Sequence, residues 1–76
     1  MQQGGYSIDT AMEILLHAQL KFPKEPAIPY KLACYHCQLG QLAKAKDYLK
    51  QAFEIDPNWR RAALEDEDLT PLWDSL

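Results

Sequence analysis

Residues 11–23, AMEILLHAQLKFP, and residues 45–57, AKDYLKQAFEIDP, are two versions of one pattern. Four residues of the first stretch recur 34 positions later in the second: Ala11, Leu15, Ala18 and Pro23 return as Ala45, Leu49, Ala52 and Pro57. A fixed period of about 20–50 residues is typical of stacked supersecondary units. The repeat therefore predicts an array of similar helical units.

The spacing has a physical cause. Each leading alanine stands four residues before a leucine and seven before a second alanine, so all three lie on one stripe of a helix. Small residues let a neighbouring helix approach closely, and the leucine fills the gap. Each proline then ends its helix. The alternative is two amphipathic helices that match by chance in an alanine-rich bundle.

We expect four helices separated by short connections. Ser7 is a good N-cap for a first helix that runs to about residue 22. A second helix begins at Ala27 or Pro29 and ends at Leu39, because Gly40 turns the chain. The third spans residues 42–55 and the fourth residues 58–64. The side of the first helix predicted to be buried comprises Ile8, Ala11, Met12, Leu15 and Ala18.

The chain is predicted to have three parts, namely a flexible lead-in of residues 1–6, a repeat domain of residues 7–64 and an acidic capping tail of residues 65–76. Four consecutive acids, residues 65–68, are expected to stay in water rather than to bind calcium, because they lack the spacing of a calcium loop. Thr70 and Pro71 are predicted to be the N-cap and first residue of a last helical turn. Three apolar residues of the tail could fold back over the last helix pair: Leu69, Leu72 and Trp73.

Composition narrows the function further. The 76 residues are 47% hydrophobic and 25% charged, as in one small globular domain, and the net charge of −3 disfavours binding to nucleic-acid phosphates. No apolar run approaches the roughly 20 residues of a membrane span. Two cysteines and an N-terminus without a basic or apolar segment predict a reduced, cytoplasmic setting.

The segment from residue 29 to 57 resembles one complete tetratricopeptide repeat. Its matching positions are Pro29, Leu32, Ala33, His36, Gly40, Ala45, Leu49, Ala52 and Pro57. Residues 8–23 resemble the second helix of a preceding repeat, and residues 58–64 the opening of a following one. The resemblance implies an all-α fold of antiparallel helix-turn-helix units, a fragment of a right-handed superhelix. The chain departs from the family's favoured aromatic and glycine residues at Pro29, Ala33, His36 and Leu49.

The resemblance also implies a binding surface, because the first helix of each repeat lines a concave side that receives a peptide or a partner helix. Trp59 is either an anchor at the edge of this side or a plug against the third helix. Along the second helix the concave side would present Ala27 and the partner-binding candidates Tyr30, Lys31, Cys34, Cys37 and Gln38, with Asn58 and Trp59 at the next edge.

Residues 34–37, Cys34-Tyr35-His36-Cys37, form a C-x-x-C motif, a pattern that also occurs in redox and metal sites. It falls in the second half of a helix, where the dipole disfavours a thiolate, and zinc requires four ligands. We interpret the cysteines as reduced groove or core residues and His36 as a packing residue. No nucleophile–base–acid pattern and no glycine-rich phosphate loop occurs. The sequence therefore predicts no enzyme, no cofactor and no metal.

The leading hypothesis is a non-catalytic module that binds a protein partner in a concave groove. A second hypothesis is a small self-associating scaffold that pairs through the helix of residues 8–22, and its cue is Ile14 and Leu16, which fall off the main apolar stripe. A third is a metal or thiol site at Cys34 and Cys37, which requires bound zinc or a thiol of unusually low pKa.

Overall fold

The computed structural model describes the backbone of residues 8–75 and the side chains of residues 10–74. Within this range the chain is all-α, as predicted, and contains no strand. No described helix is long and apolar enough to cross a membrane. Ser7 and the lead-in of residues 1–6 lie outside the described residues. The elements are α1 (Ile8–Lys21), α2 (Ala27–Gln38), α3 (Leu42–Ile55), α4 (Trp59–Leu64) and a 3₁₀-helix, η1 (Glu67–Ser75).

A tight turn joins α2 to α3. Gly40 has a φ of +79°, in the left-handed region that side chains with a Cβ disfavour. The N–H of Gly40 donates to the carbonyl of Cys37 at 3.0 Å, and that of Gln41 donates to the carbonyl of His36 at 2.9 Å. This pair of bonds is the Schellman motif, which satisfies the last carbonyls of a helix. The chain therefore reverses at Gly40, as the sequence predicts.

The repeated stripe lies in the core of the α2–α3 hairpin. Ala45 and Ala52 are fully buried and Leu49 is 1% exposed, so the predicted packing register of α3 is confirmed. The equivalent residues of α1, Ala11 and Ala18 among them, are only half-buried. In the structure α1 packs against α2, and Gln19 Nε2 donates a hydrogen bond to Gln51 Oε1 of α3 at 3.1 Å.

The C-terminal segment differs from the expectation. The 3₁₀-helix begins at Glu67 rather than at Thr70, because Asp66 opens it: its Oδ1 accepts the N–H of Asp68 and its carbonyl accepts that of Leu69, both at 3.0 Å. The Thr70 hydroxyl donates to the Glu67 carbonyl at 2.6 Å and caps nothing. Pro71 lies inside η1.

Candidate interaction face on α2

The predicted concave residues of α2 fall into two rows. The inner row comprises Tyr30, Cys34 and Cys37, which are 8%, 8% and 7% exposed. Lys31 and Gln38, in the outer row, are exposed. The expectation of an open groove is therefore corrected for the inner row, which belongs to the hydrophobic core. We call these five residues the α2 face.

The chain's own C-terminal segment covers the inner row. Leu69 and Leu72 of η1 are fully buried in the same cluster as Tyr30, Cys34 and Cys37. Residues three apart eclipse one another on a 3₁₀-helix, so both leucines point from one side of η1. The tail folds back as predicted, and it packs on α2 as well as on α3 and α4.

Two hydrogen bonds fasten the two ends of this segment. The Tyr30 hydroxyl donates to Asp66 Oδ2 at 2.8 Å, and Trp73 Nε1–H donates to the carbonyl of Ala63 at 2.9 Å. Burial raises the pKa of Tyr30 above its ordinary value, and the hydrogen bond to Asp66 and its charge raise it further. Asp66 is half-buried, so the expectation that all four acids stay in water is wrong for this one.

The far edge of the face carries Trp59, whose ring packs on Tyr30 with centroids 5.1 Å apart and planes tilted by 57°. Trp59 is half-buried, so its indole supports Tyr30 from one side and keeps part of its surface in solvent. Asn58 is exposed, and its backbone N–H donates to Asp56 Oδ1 at 3.0 Å. Trp59 thus contacts the α2 face through Tyr30, and the role of Asn58 at its edge stays a prediction.

The thiols of Cys34 and Cys37 are free and buried. Burial raises the pKa of Cys34 to about 12, with further contributions from the charges of Asp66 and Asp68. Burial and the charge of Asp68 likewise raise the pKa of Cys37. Both groups are therefore protonated near neutral pH and are poor nucleophiles. Among the described residues, no group of three or more His, Cys, Asp and Glu side chains could hold a metal ion.

His36 packs away from the cysteines. Its ring stacks on Tyr48 of α3 with centroids 5.2 Å apart and planes inclined by 9°. Its Nδ1–H donates to Oε1 of Gln41 at 2.7 Å. With 9% of its surface exposed, His36 joins α2 to α3, and its predicted role in packing is confirmed.

Asp66 was not predicted as a partner of Tyr30. A signal was present, because Asp66, Leu69 and Leu72 stand at three-residue intervals, the spacing of one 3₁₀ face. Asp66 belongs to a run of four acids, and such runs usually lie on the solvated surface, so no buried partner was predicted for it.

No protein-family model matches this chain, and neither a curated protein nor a solved structure matches it. The resemblance to the tetratricopeptide family stays a prediction that rests on the residue spacing.

Proposed function

We propose that this protein is a non-catalytic protein-interaction module of tetratricopeptide type, which binds a peptide or helix of a partner on the α2 face. We place it in the cytoplasm, since its two cysteines are both free thiols and disulfides are rare in that compartment. The partner segment takes the position of η1 against the inner row and contacts the exposed Lys31 and Gln38 of the outer row.

The observation that carries this proposal is the docking of η1 itself. A nine-residue segment lies against α2, with two fully buried leucines and a charged hydrogen bond to Tyr30. An equivalent segment of another protein, with an acid followed by two leucines at three-residue intervals, has the chemistry to make the same contacts. The α2 face therefore has both the shape and the polar anchor for a short helical ligand.

Access to the inner row requires η1 to leave. The short 3₁₀ geometry gives weaker backbone hydrogen bonds than an α-helix, and the partner segment replaces the buried contacts of Leu69 and Leu72 as η1 leaves. Lys31, Gln38 and Asn58 remain in solvent while η1 is docked, so a partner reaches them before the inner row is uncovered. Lys31 would attract an acidic residue of the incoming segment.

The chemistry of the face supports binding rather than catalysis. Its thiols are protonated and its tyrosine hydroxyl is committed to Asp66. The ring of His36 is engaged with Tyr48 and Gln41. None of these groups is arranged as a nucleophile next to a base, which covalent catalysis requires.

The test is affinity capture from a lysate of the source organism, with the full chain as bait. The Lys31→Glu/Gln38→Ala bait alters the outer row without touching the core. Lys46→Glu on the exposed side of α3 is the matched control, because it makes the same charge change on another surface. We expect a protein that is retained by the native and control baits and lost with the double variant. Equal capture by all three baits contradicts the proposal.

A further inference from the structure

Because α1 and α3 carry the same repeat, each exposed apolar residue of α1 can be compared with the residue 34 positions later in α3. Met12, Leu16 and Leu20 stand four residues apart and form one stripe. Leu16 is 42% exposed and Leu20 is 82% exposed. The equivalent positions of α3, 34 residues later, carry exposed charged side chains: Lys46, Lys50 and Glu54. An apolar stripe therefore replaces a solvated one.

Ile14 belongs to a different surface, although it is also 52% exposed. Its equivalent in α3 is Tyr48, against which α2 stacks His36. A helix packed on α1 as α2 packs on α3 would thus cover Ile14. It would leave Leu16 and Leu20 exposed, as Lys50 and Glu54 are on α3. Continuation of the repeat does not account for the stripe.

Two residues of the stripe, Met12 and Leu16, line a groove of about 390 Å³ between α1 and α3. Leu20 lies outside this groove. Across from the two apolar side chains the groove is lined by the rings of His36 and Tyr48 and by the polar side chains of α3: Lys44, Asp47 and Gln51. A groove with apolar contacts beside charged and amide groups suits an amphipathic helix, which offers an apolar stripe and charged flanks.

We propose that the stripe is the interface of a homodimer, in which α1 of a second copy packs antiparallel to it with the two Leu16 side chains at the two-fold axis. Residues four apart form a ridge that packs between the ridges of another helix. Antiparallel pairing about Leu16 places Met12 of each copy against Leu20 of the other. The surface is thus complementary to itself, as a two-fold interface requires.

The polar residues that flank the stripe fit the same arrangement. Glu13 and His17 lie on one flank of α1, and both are exposed. In the antiparallel pair Glu13 of each copy approaches the His17 of its partner, whose imidazole N–H can donate a hydrogen bond to the carboxylate. In a parallel pair this flank would face the opposite flank of the partner, and the contact would not form. The order of these two residues along α1 therefore favours the antiparallel orientation.

The dimer is expected to be weak. A helix of 14 residues is about 21 Å long, so a single helix pair falls below the roughly 1,200 Å² of a stable standard interface. Association at micromolar protein concentration, reversible on dilution, is the expected behaviour. The stripe uses no residue of the α2 face, so its test is independent of the proposed function.

Sedimentation equilibrium of the full chain over a range of protein concentration tests the proposal. The Leu16→Glu/Leu20→Glu variant should weaken dimerisation by at least about tenfold, because two apolar contacts per copy are replaced by charges. The control is Leu39→Glu/Leu64→Glu, which alters two residues that are 43% and 45% exposed, one in the turn after α2 and one in α4, and should leave dimerisation unchanged. A native chain that stays monomeric, or a dimer that survives the α1 variant, overturns the proposal.

A mixing experiment tests the orientation. The Glu13→Lys variant and the His17→Glu variant each lose their cross-copy attraction when alone. Mixed in equal amounts they restore it, since the lysine introduced in one chain then faces the glutamate introduced in the other. A several-fold tighter association in the mixture than in either variant alone is expected, and equal association in all three samples contradicts antiparallel pairing.

Discussion

Replacing Leu72 by alanine tests whether η1 is a structural part of the core. Leu72 is fully buried in the cluster that contains the inner row of the α2 face. Truncating a buried leucine to alanine costs about 2–5 kcal/mol, because transfer energy is lost and a cavity remains. A domain of 76 residues has a total stability of about 4–11 kcal/mol. The substitution therefore removes a large part of the stability.

The corresponding assay is urea and thermal denaturation followed by circular dichroism. At this chain length each kcal/mol shifts the melting temperature by about 4–8 °C, so the expected loss lowers it by roughly 8–40 °C. Leu39→Ala is the matched control, since Leu39 is 43% exposed and its truncation should cost under about 0.5 kcal/mol. A loss below about 0.5 kcal/mol for Leu72→Ala as well would refute the inclusion of η1 in the core.

Three further predictions concern the hairpin and its thiols. Ala45→Leu or Ala52→Leu should overpack the α2–α3 interface and cost about 1–3 kcal/mol in urea denaturation, and unchanged melting would contradict the register. In Gly40→Ala the added Cβ meets no atom within 4 Å, but the alanine must adopt a φ of +79°. The variant should therefore lose about 1–2 kcal/mol of stability, all of it backbone strain, and a stabilised variant would exclude that explanation. Because burial raises the pKa of the Cys34 thiol from about 9 to about 12, its contribution to stability is full below the unfolded pKa and declines as pH rises towards the folded one. The free energy of unfolding should thus fall between about pH 9 and pH 12, and fall less in Cys34→Ala; identical slopes would count against this cause.

The 34-residue repeat was enough to predict the helices, because the start, the end and the apolar side of each helix depend on residues close together in the sequence. Gly40 ends α2 through its own backbone freedom, and the alanine–leucine stripe of α3 has one apolar side. Such signals depend on residues within a few positions of each other. The predicted bounds of α3, residues 42–55, agree with the structure for this reason.

The location of the tail was harder to predict because its partners are distant in sequence. Tyr30 and Asp66 are 36 residues apart, and no local pattern links them. Acid-rich composition indicated a solvated segment, but the buried Leu69 and Leu72 outweigh the cost of half-burying one hydrogen-bonded carboxylate. The inner row was expected in an open groove because the resemblance describes the concave side of an array, without the segment that covers it here.

The proposed function requires that a partner binds where η1 now lies. The hydrogen bond from the Tyr30 hydroxyl to Asp66 Oδ2, 2.8 Å long, fastens the start of η1 to the α2 face, so the Asp66→Ala variant holds η1 less tightly. The decisive measurement is the affinity of the captured partner for the Asp66→Ala variant, with Glu67→Ala, which removes a neighbouring exposed acid, as control. We expect the partner to bind Asp66→Ala several-fold more tightly than the native chain, because η1 then competes less for the inner row, and to bind Glu67→Ala as it binds the native chain. Equal or weaker affinity for Asp66→Ala would contradict displacement of η1 by the partner.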